Sequence, residues 1–223
     1  MNKPFSIAID GPAGAGKSTV AKAVARELGA LYLDTGAMYR AIGLAMLHMG
    51  IDPRDAASVV ARLDDVDVAV DYVDGAQRIY LNGEDVTEAI REPEVSAAAS
   101  AVSAAPEVRR RMVALQQKIA EGHNVVMDGR DIGTAVLPNA TLKVYMTASA
   151  EERARRRFAE LQQKGLPDSY EQVLEEIEAR DYQDMHRAAS PLTIAEGAVV
   201  LDTSELDLQQ SIDALKALAE RVI

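Results

Sequence analysis

Cysteine is absent from the 223-residue chain, which removes disulfides, thiolate catalysis and Cys-ligated zinc together. Histidine is scarce: His48, His123 and His186 are scattered without metal-ligand spacing, so each is expected on a helix surface or in a loop. No run of about 18 apolar residues occurs, so no membrane-spanning helix is expected. The glycine-rich stretch from Gly11 arrives before a signal-like apolar run develops, and the expectation is a soluble, cytoplasmic protein with no membrane partner. Basic residues are outnumbered, 24 Lys and Arg against 35 Asp and Glu, for a net charge of -11. Such acidity argues against a broad footprint on nucleic acid and for a small phosphorylated partner held by local arginines, although solubility alone also accounts for it. With 48% hydrophobic residues, one sizeable core with a small insertion is expected, as a monomer, rather than two full domains.

What is present concentrates first in the stretch DGPAGAGKST, residues 10–19. It fits G-x-x-x-x-G-K-[ST] at Gly11, Gly16, Lys17 and Ser18, after an apolar run from Phe5 to Ile9 that reads as a buried strand. A helix follows at once, with Val20, Ala21, Val24 and Leu28 on one face and Gly29 placed to end it. Backbone N–H groups wrap a polyphosphate only where side chains are missing from the curl, which Gly11, Gly14 and Gly16 provide among Pro12, Ala13 and Ala15. The helix opening at Lys17 aims free N–H groups and its positive dipole end at the same anion. Lys17 adds a mobile charge, Ser18 a hydroxyl ligand for Mg²⁺, and Thr19 closes the stretch. The alternative is a Gly-rich turn with an exposed lysine; the strand before and the helix after favour nucleoside triphosphate binding.

Further on, 31–33 reads as a strand ending in Asp34-Thr35-Gly36, with a helix over 37–49 stopped by Gly50 and another from Asp52-Pro53 to 63. Asp34 then sits at the carboxyl end of a strand, where open α/β sheets bind ligands. The period changes next: Val66, Val68, Val70 and Tyr72 alternate, Asp74-Gly75 turns, 78–81 returns and Asn82-Gly83 turns again. An antiparallel meander inserted over 62–93 is expected. Helices over 92–105, rich in alanine and serine, and 106–121 precede strands at 124–127 and 142–147. Ser149 to Glu152 and Ser169 to Gln172 match capping boxes, predicting helices over 150–163 and 170–187 around a loop at 164–168. A strand at 198–201 and an amphipathic helix over 208–222 complete a single α/β domain spanning 1–223.

Other polar clusters discriminate among phosphate-loop functions. A GTP switch needs N-K-x-D, which Asn2-Lys3-Pro4-Phe5 fails, and no aspartate has glycine three residues on. An ATPase motor usually carries an apolar run ending in Asp-Glu, whereas Asp128 is followed by Gly129. A small-molecule kinase needs a second anion site, and Arg40, Arg109, Arg130, Arg180 and Arg187 supply guanidinium forks for one. Arg153, Arg156 and Arg157 share a helical face at i, i+3, i+4, an unfavourable cluster unless an anion or Glu151, Glu152 and Glu160 relieve it. Asp34 and Asp128 read either as carboxylates orienting Mg²⁺ through water or as strand-end caps.

DGPAGAGKST, LYLDTGAMYR from Leu31, LNGEDVT from Leu81, IREPEVSAAAS from Ile90, MDGRDIGT from Met127 and EEIEARDYQDMHRAASPL from Glu175 resemble the bacterial cytidylate kinases, nucleoside monophosphate kinases of the P-loop class. The similarity runs from about Ile7 to Asp202. It implies transfer of the γ-phosphoryl of ATP to CMP or dCMP, on a five-stranded parallel sheet of order 2-3-1-4-5 flanked by helices. The antiparallel insertion over 62–93 then serves the monophosphate, and 150–168, with Arg153 and Arg157, forms a lid over ATP. By the same resemblance Thr35 and Arg40 contact the acceptor nucleotide, and Ser100, Arg109 and Asp131 recognise cytosine or the groups beside it. Arg130 and Arg180 contact phosphate, and Asp184 and Arg187 lie around the acceptor's sugar and phosphate. Ser18 stands where some relatives carry glycine, so its metal role comes from the general loop rule alone. Kinases for other small acceptors, and a nucleotide-binding regulatory module, are the competing readings.

Overall fold

Segments marked as buried strands by their continuous apolar runs make one sheet in the computed structural model, which describes residues 4–163, 165 and 169–223. In chain order the elements are β1 (Ser6–Asp10), α1 (Lys17–Glu27), β2 (Leu31–Asp34), α2 (Thr35–His48), α3 (Ala56–Ala61), β3 (Val68–Val73), β4 (Ala76–Leu81) and β5 (Glu84–Asp85). There follow α4 (Pro93–Val102), α5 (Pro106–Ala120), β6 (Val125–Gly129), β7 (Leu142–Thr147), α6 (Ala150–Gln163), α7 (Tyr170–His186), β8 (Val199–Asp202) and α8 (Leu208–Ala219). The expected loop at 164–168 lies, Gly165 apart, outside the described residues. The chain forms two compact units, one of 33–121 and the other of the residues before and after it.

The five-stranded sheet has the order β2-β6-β1-β7-β8 and, apart from Leu33 and Asp34 of β2, belongs to the discontinuous unit. β1 pairs in parallel with β6 and β7, and β7 with β8. Numbered by sequence among themselves, these strands have the order 2-3-1-4-5 expected above. β1 and β6 are central and buried at nearly every position, and so carry short continuous apolar runs instead of alternating. Ile7, Ile9, Val126, Val144 and Met146 pack with Val20, Ala21 and Val24 of α1 and Ile212 and Leu215 of α8. A smaller core joins α6 to α7 through Ala154, Leu161, Val173 and Ile177, with Phe158 edge-on to Tyr170. The Ser169–Gln172 capping box opens α7, and Asp207 with Gln210 forms another at α8 that the sequence reading overlooked.

The segment after β6 had no sequence expectation: it is a wide helical turn over 132–136, closed by the Leu137 N–H donating to the Ile132 carbonyl at 2.7 Å.

The continuous unit, 33–121, holds the antiparallel sheet β3-β4-β5. Its first hairpin places Asp74 and Gly75 at φ of 52° and 74°, the left-handed pair that matches strand twist. Around it α2 crosses α4 closely. A Cβ on Gly43 would come within 2.8 Å of the Ala99 nitrogen and 3.0 Å of the Ala98 Cβ. This contact accounts for the alanine-rich composition of α4, since larger side chains would separate the helices. α3 is shorter than the 52–63 expectation. Asp55, three residues after Asp52, provides the cap by accepting from the Ser58 nitrogen at 3.2 Å, and the chain tightens into a 3₁₀ turn at Leu63–Asp65. α4 stops at Val102 ahead of Pro106, where the Ser103 hydroxyl donates to the Ser100 carbonyl at 2.8 Å.

Candidate active site

The loop between β1 and α1 curls through three glycines at positive φ: 149° at Gly11, 76° at Gly14 and 82° at Gly16. Gly11 has a second constraint, because a Cβ there would lie 1.9 Å from the Met146 carbonyl oxygen of β7. Pro12 and Ala13 span the curl between Gly11 and Gly14, Ala15 is buried, and Ser18 and Thr19 lie exposed in the first turn of α1.

Lys17 is buried, with its ammonium donating to the Pro12 carbonyl at 2.7 Å. Burial first, and the positive Arg130 next, lower its pKa from 10.5 to about 7, against the opposing pull of Asp128, Asp10 and Asp184. An incoming phosphate would bring this buried cation negative charge beyond that of the three carboxylates. Beside it the Ser18 hydroxyl donates to one oxygen of Asp128 at 2.8 Å and the Tyr32 hydroxyl to the other at 2.8 Å. Of the two strand-end aspartates, Asp128 therefore faces the phosphate loop. Asp34 instead caps α2, accepting from the Ala37 nitrogen at 3.0 Å.

Arg130 and Asp131 follow β6. The Arg130 Nε donates to Asp184 of α7 at 2.7 Å, and Arg187 approaches the other Asp184 oxygen at 3.6 Å. Arg187 also donates to the Ser190 carbonyl at 2.7 Å. Burial raises the Asp184 pKa, but the charges of Arg130, Arg187 and Arg180 outweigh it and leave the carboxyl below the ordinary range. Three arginines read from sequence as phosphate contacts, Arg130, Arg180 and Arg187, thus act on the single carboxylate of Asp184. Asp131 is buried at the start of the wide turn.

The three arginines of α6 diverge. Arg153 is buried, donating to the Ala148 carbonyl at 2.9 Å and to Ala13 of the phosphate loop at 3.0 Å, and pairing with Asp181 of α7 at 2.6 Å. Arg156 pairs with Glu152 at 3.0 Å and donates to the Thr203 carbonyl at 2.7 Å, while the exposed Arg157 lies 3.3 Å from Glu160. Each has its own acidic partner, which removes the repulsion a shared face implies.

Within the 33–121 unit, Thr35 is buried in the first turn of α2, and Arg40 lies 3.9 Å and Arg91 3.5 Å from Asp34. Gln77 of β4 clasps the Asp34 backbone on both sides, accepting from its nitrogen at 2.7 Å and donating to its carbonyl at 3.3 Å. Ser100 is half-buried on α4. Arg109 of α5 is buried, donates to the Ser103 carbonyl at 3.3 Å and lies 5.4 Å above the Tyr39 ring.

Sequence reasoning missed Tyr32, hidden inside an apolar run, Gln77, an ordinary polar strand residue, and Asp10, whose partners lie beyond local reach.

Comparison with known proteins adds to this geometry. The family model described as cytidylate kinase matches residues 7–221. A protein named cytidylate kinase from Caldicellulosiruptor bescii is 52% identical over 221 residues, covering 99% of this chain and 98% of its own. One of the same name from Caldanaerobacter subterraneus subsp. tengcongensis is 54% identical, covering 96% of this chain and 93% of its own. Among solved structures, a gluconokinase from Sinorhizobium meliloti shares the fold at a TM-score of 0.50 and 16% identity, covering 100% of this chain and 95% of its own. An uncharacterized protein from Eubacterium ventriosum does so at 0.53 and 11%, covering 97% and 98%. On the family match and the near-complete relatives together, the chain belongs to the cytidylate kinase family.

Proposed function

We propose that the chain transfers the γ-phosphoryl group of ATP to CMP or dCMP, giving ADP and CDP or dCDP. The observation that carries this reading is the buried Lys17 ammonium inside a glycine cradle, in a chain similar over nearly all its length to proteins named cytidylate kinase. The acceptor's phosphate oxygen is largely ionised at neutral pH and attacks in line, so no general base is required. Catalysis rests on position and charge: Lys17, Arg130, Arg180 and Arg187 stabilise the equatorial oxygens of the transferring group.

Residues 11–19 hold the donor phosphates through backbone N–H groups. Arg153 braces that loop through the Ala13 carbonyl, and Arg157 approaches the donor from a lid built on α6 whose closing excludes water. The antiparallel insertion over 62–93 and the helices beside it hold the acceptor, with Thr35 and Arg40 on the nucleotide. Asp184 and Arg187 act on its sugar and phosphate. Cytosine offers an exocyclic amine and ring acceptors, which Asp131 complements as acceptor and Ser100 and Arg109 as donors.

The donor side suits a magnesium ion. Ser18 and Asp128 offer hard oxygens. Few protein ligands suit an ion that keeps its waters and binds largely through phosphates. Ser18 would hold it directly and Asp128 through water; when bound it neutralises charge on the donor phosphates. The protein works as a monomer in the cytoplasm; among the described residues no helix is long and apolar enough to cross a membrane.

A coupled assay with ATP and a panel of CMP, dCMP, UMP, AMP and GMP tests the reading, with Lys17→Ala as control. Turnover with CMP and dCMP, lost in the variant while its fold is retained, is expected. ATP binding with no transfer to any pyrimidine monophosphate would refute it.

A further inference from the structure

Asp10 ends β1 immediately before the phosphate loop, is 3% exposed, and is given no contact with donor or acceptor above. Its two carboxylate oxygens each accept a backbone N–H, Oδ1 from Ile132 and Oδ2 from Gly133, both at 2.7 Å. Those donors open the wide turn that directly follows Arg130 and Asp131, and they lie 122 and 123 residues from Asp10 in sequence. Short, buried, charge-assisted bonds to two successive amides hold both the position and the direction of a chain segment. The turn's own carbonyls also close it, with Ala135 donating to Asp131 and Leu137 to Ile132.

We propose that Asp10 is a positioning residue for base selection: its carboxylate clamps the turn at Ile132 and Gly133 and thereby sets the direction in which Asp131 meets the acceptor base. This rests on the reading that Asp131 recognises cytosine. It also explains why an acidic residue stands beside a loop that binds a polyanion, where a negative charge would otherwise weaken the donor site. Two amides stabilise that charge locally, and it holds the acceptor-reading segment. Gly133 is matched to the clamp, since a Cβ there would lie 3.3 Å from the Asp10 Oδ2 and 3.1 Å from the Ala195 Cβ.

The test compares kcat/KM for CMP and UMP, with the KM for ATP and the melting temperature, in Asp10→Asn, Gly133→Ala and Asp131→Ala. An asparagine can accept only one of the two N–H groups and turns an NH₂ toward the other. Asp10→Asn is expected to cut the CMP-to-UMP ratio about tenfold while the KM for ATP moves less than about threefold. Gly133→Ala, which pushes on the clamp without removing the carboxylate, shifts the ratio the same way by a smaller factor. A ratio unchanged in both, or in Gly133→Ala alone where Asp10→Asn fails to fold, overturns the proposal if Asp131→Ala abolishes discrimination. An unchanged ratio in Asp131→Ala overturns the underlying assignment of Asp131, and the proposal with it.

Discussion

Replacing Lys17 by methionine is expected to stabilise the ligand-free protein near pH 6 while abolishing phosphoryl transfer. The folded chain lowers the Lys17 pKa from 10.5 to about 7, chiefly through burial. At about 1.36 kcal/mol per unit, the charged ammonium costs about 5 kcal/mol in the fold relative to the unfolded chain. Methionine keeps the length and removes the charge, but leaves the Pro12 carbonyl without the donor it has at 2.7 Å. That loss takes back about 1–2 kcal/mol, leaving a net gain of about 3 kcal/mol, or roughly 6–10 °C in melting temperature for a chain of this size. The pH dependence follows from linkage. The unfolded chain keeps its Lys17 proton to 10.5 and the folded chain releases it at about 7, so between those values unfolding takes up a proton and wild-type stability rises with pH. Below about pH 7 both states are protonated and the full cost is present. The variant lacks this slope, so its advantage shrinks above pH 7 and reverses near about pH 9. Melting curves of both proteins from pH 6 to 9.5, without nucleotide, read this directly. A variant that melts below wild type at pH 6, or a difference that does not change with pH, refutes the claim that the ammonium waits in the loop at the expense of stability.

Gly11→Ala drives a Cβ to 1.9 Å from the Met146 carbonyl oxygen at a φ of 149°, so the loop must leave β7; equilibrium binding of a fluorescent ATP analogue should weaken at least about a hundredfold. Gly43→Ala meets the backbone nitrogen of Ala99 at 2.8 Å and should cost about 1–3 kcal/mol in urea unfolding by separating α2 from α4. Asp184→Asn leaves Arg130 and Arg187 facing a neutral amide, for an expected loss of about 3–5 kcal/mol at pH 7. The Asp184 pKa is lowered in the fold, so its stabilisation is present above the ordinary 3.8 and is lost as pH falls through the folded value. The wild-type to Asp184→Asn difference in melting temperature should therefore narrow only in acid.

Much of the architecture was legible because its signals are local. Apolar runs marked β1, β6 and β7, the Asp74-Gly75 and Asn82-Gly83 turns marked the antiparallel sheet, and Ser169 with Gln172 placed the start of α7. Errors arose where two local signals competed: Asp52-Pro53 masked Asp55 as the cap of α3, and Asp207 with Gln210 passed unnoticed beside the apolar pattern of α8. The arginines were found by type but not by partner. Their spacing on α6 left open an anion-facing cluster or neutralisation by Glu151, Glu152 and Glu160; Arg156 does pair with Glu152 and Arg157 with Glu160, while Arg153 turns to Asp181 and Ala13.

The order of residues by itself determined the glycine cradle, its lysine and hydroxyl, and the alternation of strands and helices, because backbone freedom, helix dipoles and side-chain period act within a few residues of where they are written. Tertiary structure alone decided that Asp10 would clamp amides 122 and 123 residues away, that Asp128 would take the Ser18 and Tyr32 hydroxyls while Asp34 capped a helix, and that Lys17 would be a weakened base. Those outcomes depend on which groups lose water together and which charges then lie within a few ångströms, and burial and distance exist only once the chain has packed.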